Sequence, residues 1–151
     1  MRLTAFTDYT LRTLIYLALR PEKLVTIADI ATAYDVSANH LMKVVHQLAQ
    51  TGDIETVRGQ RGGLRLARAP EAINLGSVVR RTEPDLDLVA CFGEGQHCVI
   101  QEGCVLQHAL DEALQAFLGV LDRYTLADLV APRQTLAAWL GMAEQPEQRI
   151  V

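Results

Sequence analysis

Residues 36–67 read VSANHLMKVVHQLAQTGDIETVRGQRGGLRLA, and two patterns meet in them. Leu41, Val44, Val45 and Leu48 recur at the i, i+3, i+4, i+7 spacing that lines one face of a helix, and Gly52 stands where that helix must end. The opposite face carries Asn39, His40, Lys43, His46, Gln47 and Gln50, and Lys43 alone of these six is charged at neutral pH. Then the period changes. Residues 54–58 and 64–67 alternate or cluster apolar side chains around the turn Gly59, Gln60, Arg61, Gly62, Gly63, which predicts a β-hairpin with a glycine-rich tip. An exposed polar helix followed at once by an arginine hairpin predicts a mainly α fold with a small β-hairpin wing, a winged helix-turn-helix.

Working outward, residues 7–20 predict a helix that is apolar on most sides and ends at Pro21. Thr26 caps a helix of about eight residues, with Asp29 as its reciprocal partner, and the turn around Tyr34, Asp35 and Val36 joins it to the polar helix. Asn74 caps a further helix over 75–81. Residues 82–103 hold Pro84, Gly93, Gly95 and Gly103 and show no helical period. A long helix resumes over 104–124. Val105, Ala109, Ala113, Phe117, Val120 and Leu121 lie near a heptad seam, and Leu106, Leu110, Leu114 and Leu118 widen the stripe beyond what one small domain covers alone. A capped turn over 125–130 and a short helix over 133–142, carrying Trp139, complete the pattern. The expected organisation is a DNA-binding region at 1–81, a loop at 82–103, a dimerisation helix with its following turn at 104–131, and a C-terminal extension at 132–151.

The 151 residues are 50% hydrophobic, enough for one domain with an ordinary core. The longest apolar run, Leu14 to Leu19, is far short of the ~18 residues a membrane span requires, and Asp8 and Arg12 interrupt the N-terminus where a signal peptide needs apolar chain. A cytoplasmic protein with no membrane partner is expected. The formal net charge of -4 argues mildly against nucleic acid, but it is unevenly spread. Residues 1–80 hold ten Lys and Arg against seven Asp and Glu, whereas residues 81–151 hold four against eleven. Arg58, Arg61, Arg65 and Arg68 follow one another with no acid between them, and the field of one face decides phosphate binding.

The polar helix fits a major groove, and the wing reaches the backbone or the adjacent minor groove. Ser37 at the helix start offers donors to phosphate, and Asn39, His40 and Lys43 are the candidate base-edge or phosphate contacts. In the wing the candidates are Arg58, Gln60 and Arg61, with Gly62 and Gly63 letting the backbone approach closely.

All three cysteines, Cys91, Cys98 and Cys104, fall in one short stretch with the spacing C-x6-C-x5-C. An odd number leaves a thiol over after any intramolecular disulfide, so metal or redox chemistry is the better reading. Three thiolates on a glycine-containing loop can wrap an iron-sulfur cluster. Zinc is the rival, but its structural sites favour C-x2-4-C knuckles, which this loop lacks. No nucleotide-binding glycine fingerprint or nucleophile–base pair appears, so an enzyme is not expected.

The opening LTAFTDYTLRTLIYLA, the helix VSANHLMKVVHQL, the wing VRGQRGGLRLA, the three-cysteine loop and YTLADLV together resemble the Rrf2 family of winged-helix regulators, most closely its nitric-oxide-sensitive repressor branch. The resemblance runs from about Met1 to Val130. It implies a homodimer on double-stranded DNA, the long helices of the two protomers crossing. It further implies a [4Fe-4S] cluster on Cys91, Cys98 and Cys104, with Asp8 of the partner protomer as fourth ligand and nitric oxide as signal. Other candidates for the fourth position are Glu94, His97, Glu102 and His108. The alternative within the family is a [2Fe-2S] or redox-responsive regulator.

Overall fold

The structure, a computed structural model, describes residues 2–93, 95 and 98–142. Helix α1 spans Ala5–Leu19 and starts two residues earlier than its apolar pattern suggests, because the Thr4 hydroxyl accepts from the Thr7 N–H at 3.2 Å and caps it. Helix α2 (Ile27–Tyr34) carries the full capping box between Thr26 and Asp29. Asp35, at φ 51°, turns the chain in the left-handed region and delivers it to α3 (Ala38–Gln50). Strands β1 (Ile54–Val57) and β2 (Gly63–Leu66) pair antiparallel with Glu55 opposite Arg65, and Val25 adds an isolated bridge to Leu64 on the far side. Then come α4 (Leu75–Thr82), α5 (Val105–Leu121), α6 (Leu126–Leu129) and α7 (Arg133–Trp139). Between α4 and α5 the described residues form no α-helix or strand and hold single 3-10 turns at Ala90–Phe92 and Gln101–Gly103. No helix among the described residues is long and apolar enough to cross a membrane.

The core is built around α1, which packs on α2, α3, α4, α6 and β2. Leu14 and Leu17 of α1 meet Ile30, Leu41 and Val44, all essentially inaccessible to water. Each such side chain contributes roughly 1.5–3 kcal/mol by leaving water. The apolar face of α3 is thus consumed by the core, and its polar face is left outward.

A second, smaller cluster joins α4 to α5 through Val79, Leu114 and Leu118, with Phe92, Phe117 and Leu121 packed against it. The expected single seam on α5 divides here into two faces. Phe117 and Leu121 turn inward against α4, while Val105, Leu106 and Val120 stay 78%, 65% and 43% exposed. Leu106, Ala109, Ala113, Ala116 and Val120 follow the alternating three- and four-residue spacing of a coiled-coil seam, and small residues occupy its middle. Polar contacts fasten the base of the loop. Thr4 donates from N–H and hydroxyl to Glu83 at 2.9 and 3.1 Å, and the Thr7 hydroxyl donates to Thr82 at 2.9 Å. Arg80 grips Asp122 in a two-pronged pair at 2.5 and 2.7 Å.

Candidate nucleic-acid interface and cysteine loop

Helix α3 presents Asn39, His40, Lys43, His46 and Gln50 to solvent, as its period predicts. Gln47 differs: it is half-buried, and its amide donates to the Arg81 carbonyl at 3.2 Å, so it braces α4. Ser37 sits at the N-cap of α3 with no side-chain bond to the helix end, which leaves its hydroxyl available to an outside acceptor. His40 stacks on Tyr9 of α1, ring centroids 6.0 Å apart, so this candidate reader is held by the first helix. Met42, missed by the sequence reading because it is apolar, is 51% exposed on the same helix. A thioether there offers apolar contact of the kind thymine methyl groups accept.

In the wing, Arg58, Gln60 and Arg61 are exposed at the tip. The four arginines read together in the sequence separate into two kinds. Arg65 pairs with Glu55 across the hairpin, and Arg68 pairs with buried Asp53 at 3.2 Å. Arg58 and Arg61 make no ion pair among the described residues, so with Lys43 they are the free cations of this face. Gly59, at φ 119°, makes the turn that only glycine adopts readily. Gly62 and Gly63 serve close packing inside the wing: a Cβ at Gly62 would land on the Val57 carbonyl, and one at Gly63 would sit 2.9 Å from the Val25 carbonyl.

Asp8, in the first turn of α1, accepts from Arg12 Nε at 3.0 Å, and the Arg12 guanidinium lies 5.5 Å over the Tyr34 ring. Burial pushes the Tyr34 phenol up to about 12, against the opposing pull of Arg12. The half-buried face of α1 is therefore in contact with both ends of the helix-turn-helix turn, through Tyr34 on one side and His40 on the other.

The three thiols are all free. Cys91 is half-buried in the first 3-10 turn, Cys98 is exposed, and Cys104 caps α5, its Sγ accepting from the Gln107 N–H at 3.4 Å. Among the described residues no three His, Cys, Asp or Glu side chains stand close enough to hold a metal. The loop must draw in for the thiols to share one centre. Their chemistry suits an iron-sulfur cluster: three soft donors, none engaged in a disulfide, on a segment containing Gly93, Gly95 and Gly103. Glu102 and His108 are exposed, whereas Glu94 and His97 lie outside the described residues.

Comparison with known proteins is consistent across sequence and fold. Residues 3–132 match the Rrf2 model, described as iron-dependent transcriptional regulator. The chain is 53% identical over 132 residues to the HTH-type transcriptional regulator NsrR of Bacillus licheniformis, covering 86% of this chain and 92% of the relative. It is 51% identical over 146 residues to the NsrR of Bacillus subtilis, covering 95% and 100%. Among solved structures, the global cysteine regulator CymR of B. subtilis superposes with a TM-score of 0.71 at 26% identity, over 87% of this chain and 98% of that one. T. potens IscR, at 24% identity and a TM-score of 0.72 over 90% of each chain, shares the fold.

Proposed function

Because the chain belongs to the Rrf2 family of iron-dependent transcriptional regulators, and is a DNA-binding regulator of the NsrR type and not an enzyme, we propose that it represses transcription as a nitric-oxide-sensing homodimer in the cytoplasm. The observation that carries this reading is the union, in one short chain, of an outward polar α3 beside a wing with free arginines and a loop of three free thiols hung between α4 and α5.

In this reading residues 1–81 form the reading unit, 82–103 the cluster loop and 104–131 the dimerisation segment, with 132–151 an extension. Ser37, Asn39, His40 and Lys43 face the major groove, while Arg58, Gln60 and Arg61 hold the backbone, with Gly62 and Gly63 shaping the tip. Cys91, Cys98 and Cys104 would hold a [4Fe-4S] cluster, with Asp8 from the partner protomer as the fourth donor. When bound, that cluster supplies the iron that reacts with nitric oxide. Asp8 suits a donor that is readily given up. Its pair with Arg12 is exposed, and such pairs are worth roughly 0.2–1 kcal/mol, so the carboxylate leaves Arg12 at little cost. A carboxylate is also a harder partner for iron than a thiolate, so of the four donors it would be the one most easily exchanged.

The motion that follows belongs to the protein. Asp8 not held by the partner's loop pairs with Arg12, and both Arg12 and Tyr9 touch the helix-turn-helix, so a carboxylate shared between protomers would tie the first helix and reading helix of one to the loop of the other. A two-fold dimer must match its half-site spacing, and a small rotation abolishes specific binding.

The test replaces each cysteine by serine. Each variant is expected to lose bound iron and sulfide, to lose specific DNA binding and to show no response to nitric oxide, with wild type responding. A variant that keeps the nitric-oxide response without the cluster contradicts the reading. Iron and sulfide counts with Mössbauer spectra separate [4Fe-4S] from [2Fe-2S].

A further inference from the structure

Asp53, between the end of α3 and the start of β1, has no exposed surface. Its carboxylate accepts from Arg68 Nη1 at 3.2 Å, from Arg81 Nη2 at 2.8 Å and from the Thr51 hydroxyl at 2.7 Å. Its backbone is fixed as well: the N–H donates to the Leu48 carbonyl at 3.0 Å, and the carbonyl accepts from the Ala67 N–H at 2.9 Å. Arg68 also donates to the Ala72 carbonyl at 2.9 Å. The Arg81 carbonyl in turn accepts from Gln47 of α3.

One carboxylate therefore touches the end of the reading helix, the exit of the wing and the last turn of α4. A buried anion between two partly exposed cations is strongly directional, because any displacement of the wing or of α4 leaves charge unpaired at low dielectric. The residues that follow Arg81 are Thr82 and Glu83, which hold the start of α1, and the cysteine loop begins there.

We propose that Asp53, with Arg68 and Arg81, is a positioning joint for DNA recognition: it fixes the angle of the wing on α3 and makes that angle depend on where α4 stands. The proposal rests on the reading of α3 and the wing as the DNA-contacting surfaces. Non-specific binding needs only phosphate-facing charge, whereas specific binding needs α3 and the wing in register on one duplex. Loosening the joint therefore weakens discrimination more than it weakens attraction.

The experiment compares full-length wild type, Arg81→Met and Arg81→Lys, each corrected for active fraction by stoichiometric titration. The probes are a duplex selected by the wild type from a randomised library and a scrambled duplex of the same composition, at one salt concentration. Arg81→Met is expected to lower the ratio of selected to scrambled affinity about tenfold, comparable to the loss of one recognised base pair. Arg81→Lys, which keeps the cation but not the fork, is expected to return it to within about threefold. An unchanged ratio in Arg81→Met overturns the proposal, since a merely structural defect lowers the active fraction and not the ratio. Should Arg81→Met fail to fold, the combined replacement Asp53→Leu, Arg68→Met and Arg81→Met removes the charges together and retains apolar volume. The same loss is expected there, and an unchanged ratio is equally fatal. Failure of wild type to select any duplex instead overturns the reading of the surface itself.

Discussion

Arginines of one run do different work, and only the folded chain separates them. Arg58 and Arg61 are free at the wing tip, whereas Arg65 and Arg68 are paired within the protein. Arg58→Ala or Arg61→Ala is expected to weaken binding to every duplex and to lower the slope of log affinity against log salt by about one. Arg65→Ala leaves that slope near the wild-type value, and fluorescence anisotropy over a salt series distinguishes the two classes. Asp53→Asn is expected to cost about 2–3 kcal/mol in denaturant unfolding, below the range for fully buried pairs because both arginines are partly exposed. The pairing of Arg65 was within reach of the sequence, since fixing the turn length places Glu55 opposite it. The pairing of Asp53 was not: its partners are 15 and 28 residues away, and no local period brings them together. The period of α3 places Gln47 on the outward face for the same reason, because its partner lies on α4.

At the scale of the element, three helix starts are legible in the side chains that satisfy them. Thr26 with Asp29, Asn74, and Thr125 with Asp128 cap α2, α4 and α6 as their spacing implies. Helix α1 begins earlier than expected because Thr4, a polar residue outside the apolar run, supplies its cap. Helix α5 was legible as apolar but not as two-faced, because the direction of each side chain depends on where α4 packs. Its two faces should respond in opposite ways to substitution. Ala113→Arg, on the exposed seam, is expected to yield folded monomers in sedimentation equilibrium with little loss of helical signal. Leu114→Ala, one residue on, is buried at 8% exposure and is expected to cost about 2–4 kcal/mol in thermal or denaturant unfolding, with the dimer contact intact. A dimeric Ala113→Arg protein would remove α5 as the interface.

For the whole molecule, the uneven charge of the sequence acquires a spatial meaning. Lys43, Arg58 and Arg61, which make no ion pair among the described residues, stand on α3 and the wing, and the acidic half supplies the cysteine loop and the helix proposed to pair with a second copy. The loop and the reading head meet at α4 and the start of α1, where Thr4, Thr7, Thr82 and Glu83 interlock and where Arg81 reaches Asp53. A change at the thiols thus has a physical route, through α4, to the surface proposed to contact DNA. The three thiols, expected from their spacing to share one centre, are not brought together among the described residues, and the ligands of the proposed cluster would be drawn in by the metal itself. The most direct measurement is a stoichiometric nitric oxide titration of the anaerobic, cluster-loaded dimer on its selected duplex, following cluster absorption and DNA anisotropy in the same cuvette. The expected result is that anisotropy falls as the cluster signal changes, while cysteine-to-serine dimers show neither response. DNA binding that stays constant while the cluster signal is consumed would contradict the central claim.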